Sequence, residues 1–595
     1  MSFIICIFLA IGIFIFSLVG AIVLSQKRKE STILSPFNLV AVGVFVSAMI
    51  IHLPIFYELF KPESFTLVKT VLMSIHNSIR FFVVDIDYFF IAENIPADIW
   101  VRGIYSVFSA LLCLTAPLLT FGFILSFFKN LSAYLKYLSS YFKDVYIFSE
   151  LNEKSITLAS DIKANNKKAA IVFTDVFDDK GELSYELTEK AKTLGSVLFK
   201  KDILAVRFGA HSSSRKIYFL VMGENENENL SQALGLISTY GKMDNTNLYV
   251  FSNRIESELM LTHVEETGMR VRRINETRSL INRLLYENGK EVFDTAREQT
   301  DGKKLISALI VGMGRHGTEM IKALSWFCQM AGYRVEINAF DKDSLAEDKF
   351  SAQCPELMSP RYNGVYVEGE AQYKITIHSG IDVETATFAN EIYKLTDTTY
   401  VLCTLGSDEM NIKTSVNLRM LFERMKIKPK ILSIVYQSKA KEMLSGISNY
   451  RGQPYDIEFI GDIKSSYSEN VVIDSELEER ALARHLKWGK ESDFWKYEYN
   501  YRSSMASAIH MNVRDKLGIP GANKNEEDLT EEEIKILEPL EHCRWNAYMR
   551  SEGYIYSGSP DKESRNDLAK MHHNLIVFED LTLEDKLKDR SVGSK

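Results

Sequence analysis

The sequence predicts three kinds of structure in series: an N-terminal transmembrane region of three helices, two doubly wound α/β domains, and a C-terminal, mainly α-helical module. Three observations carry this. Apolar residues pile up before about Lys129, and the rest reads as water-soluble protein. Strand and helix periods then alternate through two successive stretches, the second opening on a G-x-G-x-x-G turn at Gly312, Gly314 and Gly317. Beyond Ser475 the dominant signals are long helical ones. A chain of 595 residues exceeds one core. Its net charge of −8 argues against direct nucleic-acid binding. The six cysteines are scattered with no C-x-x-C, so neither a disulfide framework nor a zinc site is indicated.

The transmembrane region covers residues 1–140. Spans are expected at about 3–24, 37–60 and 104–128, with Pro54 inside the second and Pro117 as a kink in the third. No basic residue precedes the first span and no small-residue cleavage pattern follows it, which excludes a signal peptide. Lys27, Arg28 and Lys29 follow the first span, and Lys129, Lys136 and Lys143 follow the third. Basic clusters mark the cytoplasmic side, so the N-terminus is expected outside and the soluble domains in the cytoplasm. Residues 65–91, placed outside, are too charged to span and too apolar for a free loop. Val68, Val71, Leu72, Ile75 and Ile79 fall at helical spacing, which predicts an amphipathic helix lying on the membrane surface. The alternative is a re-entrant or vestibule element in which His76, Arg80, Asp85 and Asp87 line an ion path. No filter sequence such as TVGYG is present, which disfavours a selective potassium pore. Three spans enclose little space, so any pore requires a homo-oligomer.

The first α/β domain, residues 141–300, shows strands at Asp144–Glu150, Ala169–Asp175, Lys216–Met222, Asn247–Asn253 and Met269–Asn275, with helices between. The turn after its first strand contains no glycine, so the phosphate-cradling device is missing, and Asp175 reads as a helix cap or a relic. This domain is expected to be structural and to serve oligomer contacts.

The second α/β domain, residues 301–465, carries the glycines. The run Ala308–Val311 reads as a buried strand, Met320, Ile321, Leu324 and Phe327 as a helix, and Arg334–Phe340 as a second strand ending at Asp341. Strand, glycines, helix, strand and acid in this order define a Rossmann-type dinucleotide unit. Gly312, Gly314, Arg315, Gly317, Asp341 and Asp382 are therefore the candidate residues for a nucleotide or dinucleotide, with Ser407 and Asp408 also just past strand ends. The glycines also admit a plainer role, close packing of helix on strand. No G-x-S-x-G, Walker A, H-E-x-x-H or kinase set is present, so no enzyme is indicated, and His316 reads as a ligand or packing contact rather than a base.

In the C-terminal module, residues 475–595, helices are expected at Glu476–Trp488 and Phe494–Leu517, and another begins at a capping box, Thr530 with Glu533. On that helix Glu541, Arg544 and Tyr548 share one stripe, and His542, Trp545 and Met549 the next. An aromatic plane beside a guanidinium and acceptors can stack a base and hold an anion. The plainer reading makes Trp545 core and Glu541–Arg544 a surface ion pair.

Two resemblances follow. Tandem α/β units behind a membrane bundle resemble the nucleotide-binding regulatory domains of Trk-type potassium channels and transporters, carried by Gly312, Gly314, Gly317 and Asp341 and absent from the first copy. The run E-H-x-R-W from Glu541, then Gly553–Tyr554, Lys562 with Arg565, Lys570-x-His572 and the acidic stretch Leu581–Asp589 resemble the RyR domain, with Phe578 where tryptophan is more usual. The second resemblance implies a messenger site comprising Glu541, His542, Arg544, Trp545, Tyr554, Lys562, Arg565, Lys570 and His572. Together they imply a bacterial inner-membrane, multi-pass effector gated by a nucleotide-derived messenger in antiviral defence. The competing expectation is an ion channel or transporter subunit regulated by NAD(H) or ATP.

Overall fold

The computed structural model describes residues 3–26, 36–83, 85, 95, 98–140, 142–176, 182–209, 215–254, 256–262, 268–362, 365–366, 371–446, 449–473 and 475–595. The chain divides into two compact units, Met1–Ser139 and Ser140–Lys595.

Among the described residues the first unit holds four helices: α1 (Phe3–Gln26), α2 (Pro36–Phe60), α3 (Thr66–Phe82) and α4 (Ile99–Leu138). Among the described residues three stretches are long and apolar enough to cross a membrane: Phe3–Ile22, Leu39–Phe60 and Ile99–Phe121. The third belongs to one 40-residue helix, about 60 Å of continuous rod. α1 and α2 pack antiparallel through small residues. Ser47 Oγ donates to the Ala10 carbonyl at 2.9 Å, and Gly43 lies against Ser17. α3 is amphipathic as expected, but its orientation is the reverse of a helix laid on a core. It buries Thr70, Ser74, Asn77 and Ser78 together with Phe81, and turns Val68, Val71, Leu72 and Ile79 outward. The buried hydroxyls are satisfied locally, each donating to the carbonyl one turn back.

Among the described residues the second unit has two large sheets of parallel strands, the second carrying one short antiparallel strand at Arg297–Glu298. The first comprises β1 (Val145–Phe148), β2 (Ala170–Phe173), β3 (Val197–Leu198), β4 (Ile217–Val221), β5 (Thr246–Phe251) and β6 (Arg270–Ile274) in the order 3-2-1-4-5-6. β1 is buried along its whole length between β2 and β4, as a doubly covered parallel strand must be. The second sheet repeats that order with β7 (Lys304–Val311), β8 (Tyr333–Asp341), β9 (Tyr373–Ser379), β10 (Tyr400–Cys403), β11 (Lys430–Ile434) and β12 (Ile457–Ile460), running β9-β8-β7-β10-β11-β12. In both, the strand order reverses beside the first strand, which opens a crevice at the strands' carboxyl ends. The short edge strands β3 and β12 were not among those expected.

Packing crosses the expected domain limits. The helix α5 (Glu276–Asp294), expected in the first domain, buries Ile281, Leu284, Leu285, Val292 and Phe293 in the core of the second sheet. In return Tyr467, Val472 and Ile473 pack into the first sheet's core. The C-terminal part is helical: α6 (Glu476–His485), α7 (Glu491–Lys496), α8 (Glu498–Lys516), α9 (Glu531–Ser551) and α10 (Leu583–Gly593). The helix expected over Phe494–Leu517 is broken at Tyr497, whose extended backbone ends α7 and opens α8. Met505, Ile509, Tyr548 and Met549 share one core with the second sheet, so the module is not a separate bead.

Candidate functional site

Two of the three glycines are required by the protein itself. Gly312 has φ +94°, and a Cβ there would meet the Thr404 carbonyl oxygen at 2.6 Å. A Cβ on Gly317 would sit 1.9 Å from the Gly312 carbonyl oxygen. Both let the helix after the turn, α11 in the order introduced here (Arg315–Phe327), press onto β7 and β10. Gly314 is different. Its φ of −64° suits any residue, and nothing lies within 4 Å of where its Cβ would be. Gly314 is also the N-cap of α11, and no side chain caps that end. The positive end of the helix dipole therefore lies beside the space that Gly314 leaves.

That space is a cleft of about 910 Å³ at the carboxyl ends of the second sheet, closed on its far side by residues of the first sheet's domain. Gly312, Gly314, Arg315, Asp341 and Asp382 line it, whereas Gly317 lies beneath the turn. Asp341 is oriented by two backbone donors, Met313 N–H at 2.6 Å and Asp343 N–H at 2.8 Å. It ties the turn to β8 at the cleft wall. Asp382 accepts from Glu384 N–H at 2.9 Å. The Arg315 guanidinium reaches Glu226 at 3.5 Å. His316 Nδ1 meets the Tyr436 hydroxyl at 3.2 Å, and burial lowers its pKa, so it stays neutral as a packing contact. The far wall brings residues the sequence did not single out: Lys154, which pairs with Glu276 at 2.8 Å, and Tyr467, whose hydroxyl also donates to Glu276. They sit more than a hundred positions from the glycine turn, and no local pattern marks them. Glycine turn, uncapped helix start, oriented acid and flanking cations form a donor set that fits a nucleotide phosphate and ribose.

The equivalent place in the first sheet is closed. The helix after β1 (Glu153–Asn165) begins with a capping box in which Asn152 and Ser155 satisfy each other's N–H groups. The crevice beside it measures about 200 Å³ and is lined by Glu150, Asp175, Glu224 and Glu228. Occupied donors and four acids oppose a phosphate twice over.

The C-terminal module encloses a cavity of about 540 Å³. Seven of the nine residues of the implied messenger site line it: Glu541, His542, Arg544, Trp545, Lys562, Arg565 and His572. Tyr554 and Lys570 do not. Tyr554 donates to Asp567, and Lys570 Nζ donates to the Glu552 carbonyl at 2.7 Å. Glu541 and Arg544 do pair, but in the interior rather than on the surface. Arg544 binds Glu541 through Nε and Nη2, at 3.0 and 2.6 Å, and is 1% exposed. Arg514, on α8, holds the other side of Glu541. Burial would raise the Glu541 pKa, but the two guanidiniums outweigh it and hold the carboxyl at about 2. Arg544 Nη1 has no partner among the described residues. His542 donates from Nε2 to the Ile576 carbonyl at 2.8 Å and sets Nδ1 3.2 Å from Asp589. Trp545 is half-buried against His572, ring centroids 4.8 Å apart, and Trp488 adds a second indole to the lining. Arg514 comes from α8 and Trp488 from the turn after α6, so spacing along α9 could not reveal them.

Of the proposed pore residues, His76 is exposed and Arg80 pairs with Asp85 at 3.2 Å, while Asp87 lies outside the described residues. No protein-family model matches this chain and no curated protein matches it, so the reading of its sites stands on their own geometry.

Proposed function

We propose that this chain is a membrane effector controlled by a nucleotide-derived messenger, bound by the soluble unit and read out as altered membrane permeability. The soluble unit would combine a Rossmann-type nucleotide domain like those of Trk-type regulators, a degenerate copy of it, and an RyR-like module. The observation that carries the reading is the space above Gly314. Packing gives no reason for a glycine there beyond the modest preference of an N-cap, and the space is bordered by the start of α11 and by Asp341. A nucleotide phosphate supplies that reason.

In this reading Gly312 and Gly317 hold the turn, Gly314 leaves room for phosphate, Asp341 accepts from a ribose hydroxyl, and Lys154 and Arg315 neutralise charge from the rim. The cavity around Trp545 is the second candidate for the messenger, with its indole as a stacking face. Coupling to the membrane requires only that the ligand bind one conformation more tightly than another. The test is a nucleotide panel (NAD, NADH, ATP, ADP-ribose and cyclic oligonucleotides) titrated against the full chain in detergent, followed by dye release from vesicles containing it. Binding with release supports the effector. A panel without binding refutes the nucleotide reading, and binding with ion-selective flux but no dye release favours a regulated channel.

A further inference from the structure

The membrane unit carries an inference that needs no ligand and rests only on the reading that α1, α2 and α4 cross a bilayer. The direction of each helix is fixed by contacts. Phe3 meets Tyr105 and Phe14 meets Phe108, each pair with ring centroids 5.9 Å apart, so α1 and α4 run the same way. α2 is antiparallel to α1, so its last residue, Phe60, lies at the end where α1 and α4 begin. α3 starts at that same end, where Thr66 Oγ1 donates to the Phe60 carbonyl at 3.0 Å. It finishes elsewhere. The Phe82 carbonyl accepts from Thr120 Oγ1 at 3.0 Å, and Thr120 lies next to the end of the third apolar stretch, Ile99–Phe121. Twelve residues separate Phe108 from Thr120, about 18 Å further along α4 at the helical rise. α3 itself, with 17 residues, is about 26 Å long, close to the hydrocarbon thickness of about 30 Å.

The faces of α3 agree with this path. A helix resting on a core buries its apolar side. α3 buries Ser74 and Ser78 completely and leaves Leu67 70% and Leu72 60% exposed, continuous in character with the outward Phe16 of α1 and Leu114 of α4. Its charges sit at its two ends, as the ion pairs Lys69–Glu63 and Arg80–Asp85. We infer that α3 is a fourth membrane-inserted helix, with lipid acyl chains against its outward face and Asp85 at the bilayer side opposite Lys61. Asp98, at the head of α4, stands again at the end from which α3 sets out.

The test is labelling of single-cysteine substitutions in intact cells with a membrane-impermeant maleimide, counted above the wild-type background. Lys61→Cys identifies the side on which the α2–α3 turn is exposed. From that side, Asp85→Cys and Ser74→Cys should both stay at background. A helix lying on the surface would put Asp85 and the polar face in reach, so labelling of either position from the Lys61 side overturns the inference. If Ser74→Cys fails to assemble, Ser78→Cys tests the same face, and Asp85→Cys decides the end independently. An alkaline wash checks the spanning reading separately. Release of the chain into the wash would refute that reading, whereas retention with Asp85 labelled would refute the placement of α3 alone.

Discussion

Replacing Gly314 by valine and Gly317 by alanine separates site from scaffold at the glycine turn. At Gly317 the new Cβ would lie 1.9 Å from the Gly312 carbonyl oxygen and 3.0 Å from its carbon. Both are backbone atoms that cannot swing aside, so the helix must shift off β7, and overpacking of this kind costs about 1–3 kcal/mol. At Gly314 the backbone is unstrained and no atom lies within 4 Å. Valine there forgoes only a favourable cap, at most about 1 kcal/mol. Binding should reverse the order. The valine side chain fills the space assigned to phosphate, and a hundredfold loss of affinity corresponds to about 2.7 kcal/mol. Thermal unfolding and calorimetric titration of the solubilised chain, with a nucleotide from the panel, read both quantities. The reasoning is refuted if Gly314→Val binds as tightly as the wild type, or if it unfolds as early as Gly317→Ala.

Other substitutions test the neighbouring chemistry. Asp341→Asn leaves one acceptor for two backbone N–H groups and should cost about 1–3 kcal/mol in stability, with weaker nucleotide binding in the same titration. Glu541→Gln leaves Arg514 and Arg544 buried without their counter-charge, and should lower stability by about 3–5 kcal/mol in denaturant unfolding. Trp545→Ala, on the cavity wall, should weaken a stacked base by about 1–3 kcal/mol; unchanged affinity for an activating nucleotide would move its site to the glycine turn. In acid, burial holds His572 down to about 3, with Arg565 and His573 adding to the effect. The unfolded chain takes up that proton near pH 6.5. Stability should therefore fall as pH drops from about 6.5 toward 3, and His572→Gln should flatten the fall. Glu541 and Glu552, held at about 2 by arginines that outweigh their burial, contribute stability that is lost only below the unfolded carboxyl value of about 4.3.

The fold was legible where one local period suffices. Within β7 the run Ala308–Val311 is unbroken in its apolar character, and the three apolar spans stand out on composition alone. The capping box at Thr530 marks the start of α9 to the residue. What the sequence could not show depends on partners far along the chain. The spacing on α3 reveals two faces, but which face is inward depends on Thr66 meeting Phe60 and Phe82 meeting Thr120. Glu541 and Arg544 are visible as neighbours on one helix. That the pair is interior depends on Arg514, 27 residues away on α8. Likewise α5 carries an apolar stripe, and contacts distant in sequence, such as Phe293 with Phe327 and Tyr333, assign it to the second sheet. At the glycine turn all three glycines look alike in sequence. Only the Thr404 and Gly312 carbonyls separate those that pack from the one that leaves room.

The capping box at Asn152 and Ser155 bears on stoichiometry. Two sheets of the same strand order would give each chain two equivalent anion ports, and a ring of n chains twice n. Because the first port is filled by the chain's own side chains, the proposed function leaves each chain one at its sheets. Titration of an assembled oligomer should then saturate at one nucleotide per subunit at these sheets.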